Sequence, residues 1–82
     1  MSNQVQINSK LNCLVFKTNI DEEYKVSQLI YVLEKIEGIE YWNLDMEDWE
    51  NILRIEFSNF EIEVLTEQLS KFSLEIEELP IW

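Results

Sequence analysis

Eighty-two residues make one domain, close to the lower limit at which a hydrophobic core suffices without metals or disulfides. A hydrophobic fraction of 46%, with three Trp, three Tyr and four Phe, excludes a disordered tail. Seventeen acids against six bases leave a net charge of -11, which repels phosphate backbones and anionic membranes, so neither nucleic acid nor membrane is an expected partner.

The same charge attracts cations or a basic protein patch, or serves solubility alone. No apolar run approaches membrane-spanning length, and Met1 to Val5 lacks the pattern of a signal peptide. The chain therefore reads as cytoplasmic. Cys13 is the single cysteine, so an internal disulfide is impossible, in keeping with a reducing compartment. Histidine is absent, which removes the commonest general base and metal ligand.

Residues 1–10 form a polar lead-in, and residues 11–82 the domain. From Leu11 a β-rich run alternates, with Cys13 and Val15 on one face and Leu14, Phe16, Thr18 and Ile20 on the other, which predicts a first strand. Asn19 and Asp21 can each cap a helix, and Asn19 with Glu22 has capping-box spacing. Val26, Leu29, Leu33 and Ile36 then recur at helical spacing, predicting a helix over 22–37 with Gly38 as its stop.

The stretch 39–46 alternates Trp42, Leu44 and Met46 against Tyr41, Asn43 and Asp45. The stretch 52–57 alternates Leu53, Ile55 and Phe57 against Ile52, Arg54 and Glu56. With the acidic loop between them, they read as a hairpin. Ser58 with Glu61 is a second capping-box match. Ile62, Leu65, Leu69 and Phe72 predict a helix over 60–72. Leu74 to Glu77 alternates as a last strand, Pro80 ends it, and Ile81-Trp82 is an apolar tail expected to fold back.

The order βαββαβ is that of an α+β, ferredoxin-like fold, with two helices on one face of a four-stranded antiparallel sheet. This topology puts three loops at one pole. It brings Asp21, Glu22 and Glu23 to the same end as Asp45, Glu47, Asp48 and Glu50.

Phe16 to Ile20, the run Leu33-Glu34-Lys35-Ile36-Glu37-Gly38-Ile39, Trp42-x-Leu44-Asp45, and Ile52 to Glu56 occur in an order and spacing that resemble the heavy-metal-associated domain family. That family includes small copper chaperones and the N-terminal modules of metal-pumping ATPases. The resemblance implies a soft-metal loop of the form Met-x-Cys-x-x-Cys between the first strand and the first helix. Aligned from Gly38, Ile20 stands at the methionine, and Glu22 and Lys25 stand at the two cysteines. Thiolates are what select copper(I) or zinc, and Cys13 lies mid-strand on the face away from the helices.

With the loop cysteine-free, the expectation is a protein-interaction module with no cofactor and no catalytic residue, rather than a soft-metal carrier or an enzyme. Its partner would be a related metal-handling domain or another basic surface. Asp21, Glu23, Asp45, Glu47, Asp48 and Glu50 are candidates for a hard cation or a partner contact. A solvated acidic loop is the bland alternative. Trp49 either packs down on its own hairpin or projects as an anchor. The partly apolar sheet face carrying Val15, Tyr41 and Ile52 invites self-association or partner docking, or is covered by the tail Ile81-Trp82 or by residues 1–9. Competing expectations are an acidic nucleic-acid mimic that inhibits a nuclease, and a small-ligand regulatory domain on the same fold.

Overall fold

A computed structural model describes residues 11–80; the lead-in 1–10 and the tail Ile81-Trp82 lie outside the described residues. The elements are β1 (Asn12–Thr18), α1 (Glu23–Leu33), β2 (Ile39–Asp45), β3 (Ile52–Phe57), α2 (Ile62–Ser70) and β4 (Ile76–Leu79). The strands form one sheet in the order β2-β3-β1-β4. Every pairing is antiparallel, as the ferredoxin-like reading expects.

Alternation along β1 and β3 sorts their side chains by face. Leu14 pairs with Ile55 and Phe16 with Leu53, and this face meets the helices. The apolar stripe of α1 contributes Leu29, Val32 and Leu33 to the core, and that of α2 contributes Leu65 and Leu69. Phe16, Ile20, Leu29, Leu53, Ile55, Leu65 and Leu69 are wholly buried. Each such side chain contributes about 1.5–3 kcal/mol of burial free energy, which is how so short a chain holds a fold. Trp42 and Leu44 share this face, but β2 is an edge strand, so Trp42 stays partly exposed.

Several element ends differ from the sequence expectation, and each difference has a cause. α1 stops at Leu33 instead of residue 37: Lys35 N donates to the Val32 carbonyl and Ile36 N to that of Leu33. These tighter turns swing Ile36 against the core. Neither capping box forms, since Glu22 and Glu61 hold the cap positions without side-chain caps. The Ser58 hydroxyl donates to Gly38 O and Glu40 instead. α2 ends two residues early, with Ser73 at φ 62° and Leu74 N donating to Leu69 O. That closure uses up Leu74, so β4 begins at Ile76 rather than at residue 74.

Gly38 is required for a reason other than stopping α1. It lies at φ 99°, and a Cβ built there would stand 1.8 Å from the Asn59 carbonyl oxygen. Its own carbonyl accepts from Ser58 N at 2.8 Å, tying the start of β2 to the end of β3. Gly38→Ala should therefore lower stability by roughly 1–3 kcal/mol in urea unfolding, and the required shift of Asn59 places it toward the upper end.

Candidate functional site

β1, β2 and α2 all end at one pole of the molecule, and two consecutive residues of β1's exit gather their loops. Thr18, buried at the end of β1, donates its Oγ1 hydrogen to the Asn51 carbonyl at 2.6 Å. Its backbone N–H reaches Glu50 O at 3.1 Å. The same hydroxyl oxygen accepts from Ile20 N at 3.0 Å, a buried bond that ends β1 there instead of at Ile20. Asn19 binds the third loop: its Nδ2 donates to Ser73 O, and its Oδ1 accepts from Glu75 N at 2.9 Å. Its backbone N–H also donates to Glu75 O. Asn19 is thus a cross-loop tie and not the helix cap its spacing suggested.

The β2–β3 loop has its own internal order. Asp45 Oδ1 accepts from Glu47 N, and Asp48 Oδ1 accepts from Glu50 N. Asn51 N donates to Asp48 O at 2.8 Å, and Asn51 takes φ 50°, a conformation asparagine tolerates. Between these turns Trp49 projects into solvent, 84% exposed, with Met46 partly exposed nearby in the loop. Of the two outcomes open to Trp49, the structure takes projection.

On the β1–α1 side, Glu22 is the exposed N-cap of α1, and its carbonyl accepts from Lys25 N and Val26 N. Lys25 Nζ donates to Asn19 O at 3.1 Å and to Asp21 Oδ1 at 2.9 Å. The Lys25 side chain is 20% exposed, whereas that of Asp21 is 54% exposed. Lys25 is therefore an internal clamp of the loop; its i,i+4 spacing from Asp21 signals the ion pair, but nothing in the sequence signals its bond to Asn19 O.

The hydrogen bond from Lys25 holds the Asp21 carboxyl below its ordinary 3.8. Asp21 in turn raises Lys25 above 10.5. The pair's stabilising effect is thus present above Asp21's ordinary value and lost as pH falls through its lower folded one. At the alkaline end it is lost as pH rises through the raised folded value of Lys25.

The sequence-selected residues Asp21, Glu22, Glu23, Asp45, Glu47, Asp48, Trp49 and Glu50 share this pole, with Asp48 and Glu50 partly covered and the others exposed. Among the described residues, no three carboxylates or thiols come together as a group able to hold a metal ion. Cys13 sits in β1 opposite Glu56, remote from these loops. Among the described residues, no helix is long and apolar enough to cross a membrane.

No protein-family model matches the sequence, and no curated protein matches it. Among solved structures the chain is similar to the N-terminal domain of PacS from Synechocystis PCC6803, with a TM-score of 0.66 at 10% identity. That likeness covers 84% of this chain and 98% of the other. It is also similar to the CopZ metallochaperone, with a TM-score of 0.67 at 7% identity over 80% of this chain and all of that one. Both are heavy-metal-associated domains, and this chain shares their fold.

Two outcomes test the geometry of the pole. Thr18→Val removes one donor and strands the buried Ile20 N–H, so stability should fall by about 1–3 kcal/mol and the Ile20 amide should exchange faster. Lys25→Met should bring the Asp21 carboxyl back up toward 3.8 in an NMR titration of its side-chain carbon.

Proposed function

We propose that this chain is a small, non-enzymatic docking domain built on the heavy-metal-associated fold, whose acidic pole receives a basic protein surface around Trp49. The carrying observation is Trp49 itself, 84% exposed on a loop held by Thr18 and by two Asp side chains. A large aromatic left in water, ringed by polar groups, is the usual composition of an interface anchor. A loop already ordered loses less entropy when it binds, so more of the contact energy becomes affinity. The net charge of -11 steers a basic partner in, such as a related metal-handling domain with a basic pole, and turns acidic ones away.

Carriage of a soft metal does not fit the residues at this loop. Glu22 offers a hard oxygen, and Lys25 offers an ammonium already engaged by Asn19 and Asp21. A cationic donor repels a metal ion, and thiolates are absent from the turn. The domain acts by contact alone: histidine, the commonest general base, is absent from the sequence.

Two titrations test the reading. Copper(I) added under reducing conditions should give no tight stoichiometric heat; one equivalent bound tightly would sink the claim that the metal site is lost. A partner captured from extract, identified and purified, should bind Trp49→Ala about 30-fold more weakly than the parent, and more weakly as salt rises. An affinity indifferent to Trp49→Ala would move the docking surface elsewhere. Capture of nucleic-acid enzymes alone would favour the acidic-mimic reading.

A further inference from the structure

The sheet has a second face, turned away from both helices, and the strand register arranges its side chains in rows. Tyr41 lies beside Glu56, which lies beside Cys13; two residues along, Asn43 lies beside Arg54, which lies beside Val15. The core draws Phe16, Leu53 and Ile55 from the opposite face, so no described helix covers these rows. Tyr41 is 65% exposed. The Arg54 guanidinium has a loose contact of 3.9 Å with Glu56 on its own strand, their side chains 58% and 42% exposed. Such a pair contributes little by itself in water.

We infer that this face packs against the same face of a second copy of the chain, as a weak two-fold dimer. Charge selects the face. A copy carrying -11 is repelled by the acidic pole, whereas on this face two of the six bases, Lys17 and Arg54, stand beside the acids Asp45, Glu56 and Glu77 and bring it close to neutral. Lys17 lies opposite Glu77 in the β1–β4 pair.

The register makes the face complementary to itself. A two-fold axis lying in the interface, across the strands and between the two rows, sets each row over the other. Arg54 of each copy then faces Glu56 of the other, Cys13 faces Val15, and Tyr41 faces Asn43. This is the reciprocal pattern of an isologous contact. Strands of the two copies run antiparallel, which sends the two acidic poles to opposite ends. The arrangement is the aligned packing of a β-sandwich, with sheets about 10 Å apart.

The size of the face sets the strength. Four strands about 4.8 Å apart and about five residues long give a patch of roughly 19 by 17 Å. That falls below the approximately 800 Å² per partner of a standard stable interface, so the dimer should be weak and reversible.

Sedimentation equilibrium of the full chain from about 10 μM to about 1 mM tests the proposal. A reversible monomer–dimer equilibrium is expected. Arg54→Glu and Glu56→Arg should each weaken it at least about tenfold, and the double exchange should restore it to within about threefold. Both side chains are solvated, so circular dichroism should show the single variants folded. Trp49→Ala should leave the dimer unchanged, which separates this surface from docking at the pole. A parent chain monomeric throughout, whatever else occupies the face, overturns the proposal. So does a dimer that both single variants leave intact, one that Trp49→Ala disrupts, or a folded double exchange that stays monomeric.

Discussion

The hydroxyl of Thr18 is the hinge on which the pole of this molecule is built. It donates to the carbonyl of Asn51, 33 positions away, and accepts from the amide of Ile20 two positions on. One bond closes a long loop and the other ends a strand. Because the group is buried, neither bond can be exchanged for water without loss. The residue can do both because β1 is an interior strand, with β3 on one side and β4 on the other. Any side chain at its end lies within reach of both neighbouring connections.

Asn19 extends the same device to the α2–β4 turn, and Lys25 seals the start of α1 by binding Asn19 O. Thr18, Asn19 and Lys25 together convert three loops of unrelated sequence into one surface. Beneath them the core is made of aliphatic side chains and Phe16, with Ile20 wholly buried at the base of the loop. A stiff base and tied loops let the chain hold Trp49 in water. Its apolar area would otherwise favour collapse onto the hairpin.

Much of the fold could be read along the chain, because periodicity is a local property. Val26, Leu29 and Leu33 mark the buried side of α1 before any contact is known, and Leu53 and Ile55 mark the inward side of β3. The element ends were less legible. Asn19 and Ser58 have the spacing of caps, yet their side chains serve strands and turns distant in sequence. Gly38 reads as a helix stop, but what it accommodates is the backbone of Asn59. In each case a local preference yielded to a non-local partner, which no spacing rule contains. At the site, the convergence of Asp21 to Glu23 with Asp45 to Glu50 followed from topology, whereas the clamp made by Lys25 did not.

By itself, the sequence determined the order of elements, the inward face of each, and the donor chemistry at the β1–α1 turn. Those depend on residue type and on periods of two and 3.6, which each segment carries alone. Tertiary structure decided that Asn19 ties loops instead of capping a helix, that Trp49 projects, and that Arg54 and Glu56 stand in register with Val15 and Cys13. Such outcomes depend on which segments meet, and antiparallel pairing of strands far apart in the chain settles that only when the whole sheet closes.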